Sequence, residues 1–182
     1  MLIDHIAIGV DLCSLNIPDF SVGKDGEGMF TGTQIKRLGE AMYIPYQINA
    51  INYCEIDDVE TNAISSPFSG CLMVAWQMGK KIYVGHVARE NPHEPSQSYI
   101  TWEKTKGEFV RYVEFDPWRL LVNPVNTRTC FGLIAFSNAM NTVTAYSINT
   151  ETDMKTGIGR IVNQIQRLNL QWINNSNTDK ND

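Results

Sequence analysis

The chain has 182 residues, a formal net charge of −5 and a sequence pI of about 5.2. This length fits one domain, and the acidic balance argues against nucleic acid as a partner, because phosphate contacts need a basic surface. No apolar run approaches the roughly 20 residues of a membrane-spanning helix, which excludes a membrane span. We expect one monomeric domain over residues 1–173, followed by a disordered polar tail over residues 174–182.

The first ten residues and the cysteines bear on the cellular compartment. The N-terminus lacks the positively charged segment and the cleavage site of a signal peptide, so we expect cytoplasmic synthesis in the producing cell. Any secretion would then use a route without a cleaved signal. The cysteines are widely spaced and form no Cys-x-x-Cys pair, which argues against zinc and redox motifs and leaves two disulfides open in principle. They are Cys13, Cys54, Cys71 and Cys130.

The first third of the chain predicts short elements joined by a loop. Residues 2–10 are apolar and predict a strand, whereas residues 21–32 hold four glycines and predict a loop. Residues 33–40 predict a short helix. Residues 41–57 alternate loosely and are rich in tyrosine and isoleucine, so they predict one or two strands.

The next segment predicts a tight β-hairpin. Residues 71–77 and 82–88 are apolar and rich in strand-forming residues, and the four residues between them have the glycine and the polarity of a turn. Cys71 and His86 lie opposite each other if the loop is residues 78–79, and diagonally if it is residues 79–80. Both registers place the two side chains on one face of the sheet, because side chains alternate along a strand.

The second half of the chain predicts further strands and a final helix. Residues 98–103 and 108–116 are strand candidates, and residues 129–137 and 142–150 predict a second hairpin. From Asp153 to Trp172 the apolar residues follow helical spacing. The sequence therefore predicts an α+β domain whose core is a mixed or antiparallel sheet or sandwich, flanked by helices and ending in a C-terminal amphipathic helix.

Ser69-Gly70-Cys71, with His86 fifteen residues after the cysteine at the end of an apolar hairpin, resembles the catalytic core of the cytotoxic necrotizing factor deamidases. The motif is also similar to Burkholderia lethal factor and to the bacterial chemoreceptor glutamine deamidases. The resemblance covers roughly residues 61–90. It implies a cysteine-dependent hydrolase that converts a glutamine side chain of a target protein to glutamate.

The resemblance assigns roles to individual residues. It makes Cys71 the nucleophile and His86 the base. Some of these families orient the histidine with a threonine six residues before the cysteine, where this chain has Ser65, and others use a backbone carbonyl. The third group stays open, because a hydroxyl of Ser65 or Ser66 could also hold the imidazole. The backbone N–H groups around Ser69 and Gly70 are the natural donors to the oxyanion. No metal or cofactor is expected, and a primary amine in place of water would give transglutamination as a side activity.

The resemblance also implies a biological setting. A bacterial toxin or effector with a role in virulence would act on a protein that bears a reactive glutamine, and a GTPase or a translation factor are precedents. We expect a narrow pocket over Cys71 with a rim formed by the loops at residues 21–32, 91–97 and 123–129.

Two other interpretations of the same residues stay open. A metal site formed by His86, Glu90, His93 and Glu94 has suitable ligand types but no helical spacing. A non-catalytic interaction protein of related fold would use Cys71 and His86 as ordinary core residues, since unpaired cysteines are among the most buried residues.

Overall fold

The computed structural model of this protein describes residues 1–57, 61–90, 93–124 and 129–175. Within these ranges the chain forms two β-sheets and two α-helices, which confirms the predicted α+β class. The longer helix has only nine residues. No helix in the described ranges has the length and apolar character needed to span a membrane.

The strands are short at the start of the chain and long at its end. In chain order they are β1 (Ser21–Val22), β2 (Phe30–Thr31), β3 (Lys36–Leu38), β4 (Ala41–Gln47), β5 (Ile51–Ile56), β6 (Asn62–Ser66), β7 (Leu72–Met78), β8 (Lys81–Val87), β9 (Arg111–Phe115), β10 (Thr129–Ser137), β11 (Thr142–Glu151), β12 (Ile161–Leu170) and β13 (Ile173–Asn174). The helices are α1 (Gln97–Thr105) and α2 (Pro117–Leu120), and 3₁₀ turns lie at Leu2–His5, Leu12–Leu15 and Lys106–Glu108.

The two sheets are mixed and packed on each other. The first sheet has the order β1-β4-β6-β10-β11-β12, with β3 paired to β4, and the second has the order β13-β9-β7-β8-β5-β2. Ile44 and Ile134 of the first sheet share one buried cluster with Met73 and Phe115 of the second. The space between the sheets is therefore the main core, and it is where residues of β6, β7 and β8 meet.

The outer faces of both sheets are covered as well. Leu12 and Ile17 of the N-terminal segment pack on the first sheet, and Trp102 of α1 packs on the second. Because both of its faces are covered, β10 is buried over residues 129–136. The sequence of a strand that is buried on both faces is a continuous apolar run, without the alternation of a half-exposed strand.

Several predicted strands are confirmed. Residues 41–57 form β4 and β5, residues 108–116 contain β9, and residues 129–137 and 142–150 form the hairpin of β10 and β11. The glycine-rich residues 21–32 are mostly loop, with the two-residue strands β1 and β2 at the two ends.

Two predicted elements near the N-terminus are wrong. Residues 2–10 contain the 3₁₀ turn Leu2–His5 and no strand, and only Ile6 among them is buried, whereas a sheet strand of this length would bury every second residue. Residues 33–40 contain the short strand β3 instead of a helix. Gly39, with φ +62°, allows the tight turn that folds β3 back onto β4.

The predicted strand at residues 98–103 is the helix α1. The Ser96 hydroxyl caps its first turn by accepting a hydrogen bond from the Tyr99 N–H at 3.3 Å. Ser98 and Trp102, four residues apart, are both fully buried, so one face of the helix packs on the protein.

The predicted C-terminal amphipathic helix is also wrong, because this segment is the edge strand β12. The pairing with β11 passes from Asn149↔Gln164 to Thr150↔Val162, which leaves Asn163 as an extra, bulged residue. The bulge turns Val162 and Ile165 to the same face, where both pack in one cluster. A spacing of three residues thus arises in a strand and resembles the helical pattern.

The first two residues of the predicted disordered tail belong to the folded domain. Asn174 belongs to β13 and pairs with Arg111, and the Asn175 side chain donates to the carbonyls of Lys106 and Phe109 at 2.8 Å. Residues 176–182 lie outside the described ranges.

Candidate active site

The hairpin of β7 and β8 places Cys71 and His86 on one sheet face. Met78 pairs with Lys81 across the Gly79–Lys80 turn, so Met73 lies opposite His86. Cys71, two residues before Met73, is the diagonal neighbour of His86. Both side chains point into the space between the sheets, where Met73 and Cys71 belong to the main core. This is the diagonal register that the sequence predicts for a loop at residues 79–80.

His86 is held by Ser65 from the facing sheet. The Ser65 hydroxyl donates to the Ile44 carbonyl at 2.5 Å and lies 2.7 Å from Nδ1 of His86. Since the hydroxyl proton is directed at the carbonyl, Nδ1 is the donor and Nε2 carries the lone pair. Nε2 is buried and has no hydrogen-bond partner among the described residues. The imidazole thus has the tautomer of a general base.

Two aromatic rings fix the plane of the imidazole. Phe68 stacks on His86 with ring centroids 4.1 Å apart and 7° between the planes, and Tyr46 meets it edge to face at 5.5 Å. His86 is fully buried, and this burial lowers its pKa to about 3. The ring is therefore neutral at physiological pH.

Cys71 is also held in its neutral form. Burial raises the pKa of its thiol to about 11, the Arg89 backbone N–H at 3.4 Å acts in the opposite direction, and the Glu90 carboxylate raises it further. The thiol also faces the Arg89 carbonyl at 4.0 Å. The site thus holds a neutral thiol beside a neutral imidazole, whereas a strongly activated cysteine forms a thiolate–imidazolium pair.

The thiol and the imidazole are neighbours without a direct hydrogen bond. Sγ is engaged with the backbone of Arg89, and Nε2 has no partner among the described residues. Diagonal neighbours on paired strands have Cβ atoms roughly 7–8 Å apart, which is too far for direct contact of these short side chains in most rotamers. Proton transfer between them requires a change of the Cys71 rotamer or a bridging molecule.

Arg89 and Asp116 fix the loop that carries the cysteine. Arg89 Nε donates to the Gly70 carbonyl at 2.6 Å, and its guanidinium pairs with Asp116 at 3.0 Å. Asp116 in turn caps α2 by accepting from the N–H groups of Trp118 and Arg119. Gly70 has φ +140°, which only glycine adopts readily. The peptide unit between Gly70 and Cys71 is therefore held in place.

Sequence reasoning missed Arg89 and Asp116. Arg89 lies only three residues after His86, so its proximity to the site could have been inferred from the sequence. Its partner lies 27 residues later, and no pattern in the sequence links the two positions.

A cavity of about 260 Å³ opens above Cys71. Its lining consists of Tyr46, Pro67, Ser69, Cys71, Arg89 and Glu90. The predicted rim is wrong over the described residues, because none of those in segments 21–32, 93–97, 123–124 and 129 lines the cavity; residues 91–92 and 125–128 lie outside the described ranges. The loop before Cys71 and the residues after β8 form the rim, since the hairpin itself brings them together.

Glu90 is fixed at the mouth of this cavity. One of its carboxylate oxygens accepts hydrogen bonds from the Tyr46 hydroxyl and the Asn49 N–H, both at 2.8 Å. The mouth thus combines a held carboxylate with the guanidinium of Arg89. Like Arg89, Glu90 has no role in the sequence-based site, apart from the metal interpretation.

The metal site and the disulfides that the sequence left open find no geometric support in the described residues. The structure does not bring His86, Glu90, His93 and Glu94 together, and no group of three or more metal-binding side chains lies within metal-binding reach in the described ranges. All four cysteines are free thiols, so neither disulfide left open by the sequence is formed.

No model of a protein family matches the chain, and no curated protein matches its sequence.

Proposed function

We propose that this protein is a cysteine-dependent amidohydrolase that converts a glutamine side chain of a target protein to glutamate. The observation that carries the proposal is the orientation of His86. A serine that is itself held by a backbone carbonyl directs Nδ1, and Nε2 is left open on the sheet face that it shares with Cys71. A base oriented by a third group beside a nucleophile is the general arrangement of nucleophilic hydrolases.

The neutral state of both groups defines the first step. After the Cys71 side chain rotates toward His86, or through a bridging water molecule, Nε2 takes the thiol proton as Sγ forms a bond to the carboxamide carbon, so that charge develops only during attack. The tetrahedral oxyanion is stabilised by backbone N–H groups of residues 69–71, of which Arg89 holds the Cys71 N–H in place by its bond to the carbonyl of the same peptide unit, that of Gly70. Preorganised donors of this kind need no rearrangement during the reaction.

The second half of the reaction restores the thiol. His86 returns its proton to the leaving nitrogen, the carbon–nitrogen bond breaks, and ammonia leaves a thioester on Cys71. A water molecule, deprotonated by His86, attacks the thioester and yields the carboxylate and the free thiol. A primary amine in place of water would yield a substituted amide, which is the proposed transglutaminase side activity.

The cavity supports a side-chain substrate on a large partner. Its volume of about 260 Å³ is small beside most ligand pockets and suits one short side chain. A carboxamide is neutral, whereas its product is an anion that the fixed Glu90 carboxylate repels. We propose a bacterial toxin or effector, and a GTPase or a translation factor as the target class.

The test is deamidation of proteins in a lysate of human cells. Wild-type protein should convert specific glutamines to glutamates, and Cys71→Ser should abolish this while the protein stays folded, because a hydroxyl is a much weaker nucleophile at neutral pH. Cys130→Ser is the matched control, since Cys130 is also buried and lies outside the cavity. Conversion by Cys71→Ser at the wild-type rate would contradict the proposal. Circular dichroism of each variant separates loss of fold from loss of chemistry.

One observation favours a second candidate, a non-catalytic interaction protein. His86 is fully buried, Cys71 is 6% exposed, and both are held neutral, as in an ordinary core. In that case Cys71→Ser would unfold or destabilise the protein, and no glutamine in the lysate would change.

A further inference from the structure

A second cavity, of about 320 Å³, lies on the outer face of the second sheet. Side chains alternate along a strand, so Trp76, three residues after Met73, lies on the opposite face of β7. Trp76 forms part of the cavity wall, whereas Met73 shares its face with Cys71, so the cavity and Cys71 are on different sides of the sheet. It is separate from the candidate active site. The walls consist mainly of aromatic side chains from β2, β5, β7 and β8 and from the residue after the last 3₁₀ turn: Phe30, Tyr53, Trp76, Tyr83 and Phe109.

The aromatic rings of the wall have two main orientations. Phe30 meets Tyr53 at 82°, Trp76 at 70° and Phe109 at 89°, with centroids 5.6–6.5 Å apart. Trp76 is 2% exposed, so it lies at the bottom of the cavity, and it is nearly parallel to Tyr83 at 21° and to Phe109 at 20°. Phe30 therefore stands steeply against the near-parallel rings around Trp76, so a guest in the cavity meets π-electron density from two directions.

The one charged side chain among the described lining residues is a carboxylate. It belongs to Glu108, which is exposed and makes no ion pair or hydrogen bond with any described residue. Two lysines of the surrounding elements are engaged with other carboxylates: Lys81 pairs with Glu55 at 3.0 Å, and Lys106 pairs with Glu103 and Glu114. The uncompensated carboxylate thus favours a cationic guest.

The polar groups of the wall do not favour a neutral polar guest. The hydroxyl of Thr105, another wall residue, donates to the Thr101 carbonyl within α1 and is therefore already used. A sugar ring or an amide would need several fixed donors and acceptors, whereas the described wall offers two tyrosine hydroxyls and the Glu108 carboxylate.

We propose that this aromatic cavity is a binding site for a trimethylated ammonium group. Such a cation is large, weakly hydrated and unable to donate strong hydrogen bonds, so it gains from ring faces and from one nearby carboxylate. The group belongs either to a free small molecule or to a methylated lysine side chain, because both present the same chemistry.

The test compares choline with its neutral isostere 3,3-dimethylbutan-1-ol by calorimetric titration of the wild-type protein. Choline should bind about 2- to 30-fold more tightly, the range that a cation–π interaction supplies over shape alone. Glu108→Gln should weaken choline binding about two- to fivefold and leave the isostere unchanged. Glu103→Gln, a nearby exposed glutamate already paired with Lys106, is the matched control and should change neither.

Three results would overturn the proposal: no saturable binding of choline, equal affinity for choline and the isostere, or equal effects of Glu108→Gln and Glu103→Gln. Titration with a trimethyllysine peptide identifies the source of the group. Tighter binding of the peptide assigns a protein side chain, and tighter binding of choline assigns a free molecule. Cys71→Ser should bind choline as the wild type does, so the result is independent of the proposed hydrolase activity.

Discussion

At the scale of single residues, the candidate site depends on one serine hydroxyl. Ser65 lies between the Ile44 carbonyl and His86 Nδ1, and its proton direction determines which imidazole nitrogen is the base. The residue that follows it, Ser66, is equally buried but bonds to the Tyr43 hydroxyl at 2.8 Å. Two adjacent serines thus have similar burial and different partners.

Ser65→Ala should therefore lower the rate of deamidation about 100-fold or more, within the usual range for loss of general-base catalysis. Without the hydroxyl, Nδ1–H loses its acceptor and the proton is free to move to Nε2, which then no longer accepts the thiol proton. Ammonia release measures the rate, and ¹⁵N NMR of the His86 ring reports the tautomer. Ser66→Ala should destabilise the fold to a similar degree and leave the tautomer unchanged; equal rates for the two variants would argue against the role of Ser65.

Glu90 gives a second prediction at this scale. Its carboxylate raises the pKa of Cys71, so Glu90→Gln should lower that pKa and speed alkylation of Cys71 by iodoacetamide. We expect about a two- to fivefold increase at low salt and less at high salt, because Glu90 is exposed. Glutamine retains an oxygen to accept the bonds from Tyr46 and Asn49. Peptide mass spectrometry measures the rate at Cys71, with Glu94→Gln as the control. A slower rate in Glu90→Gln would contradict the assigned sign.

At the scale of elements, the hairpin of β7 and β8 assembles most of the site. It supplies Cys71 just before its first strand and His86 near the end of its second, and Arg89 follows directly. The Arg89–Asp116 pair then joins this hairpin to the start of α2. The two side chains are 17% and 10% exposed, so their interaction is less screened than a surface ion pair.

Arg89→Gln and Asp116→Asn should accordingly show coupled effects on stability. In a double-mutant cycle, urea unfolding should give a coupling free energy of about 1–3 kcal/mol, as for residues that share one network. Arg89→Gln should also lower the deamidation rate, because the Gly70 carbonyl loses its donor. Arg37 and Asp57 form an exposed pair at 3.8 Å and provide the control cycle, which should give a coupling close to zero. Equal coupling in both cycles would refute the structural role of Arg89.

The elements also show what the sequence is able to predict. Local turn chemistry and strand propensity are sufficient for the two hairpins and for the shared face of Cys71 and His86. The bulge at Asn163 is set by pairing with β11, so the spacing in β12 imitates a helix. The position of Ser65 opposite His86 depends on packing between two sheets, which strand propensity does not determine. The need for a third group therefore pointed to Ser65 and Ser66 alike, and the resemblance pointed to Ser65.

At the scale of the whole molecule, the buried imidazole links the site to stability. His86 has an ordinary pKa near 6.5 in the unfolded chain and about 3 in the folded protein. Between these values the unfolded state binds more protons than the folded state. The free energy of unfolding therefore falls as the pH falls through this window, and it is independent of this group above about pH 7.

Replacing His86 by glutamine should remove this part of the pH dependence. The wild type should lose up to about 1.4 kcal/mol per pH unit from this group below its unfolded pKa, and His86→Gln should lose less over the same range. Urea unfolding at several pH values from 7 to 4 measures both proteins, and their difference cancels the titration of most carboxylates. Parallel curves would show that His86 titrates as freely in the folded protein as in the unfolded chain.

The neutral state of the Cys71 thiol affects how readily peroxide oxidises it. Peroxide attacks thiolates rather than thiols, so a cysteine whose pKa lies near 11 is a poor target for oxidation to sulfenic acid. The exposed Cys13 lacks this shielding by burial. A nucleophile that gains its charge only during attack on a substrate would remain usable through an oxidative burst, which a preformed thiolate would not survive as readily.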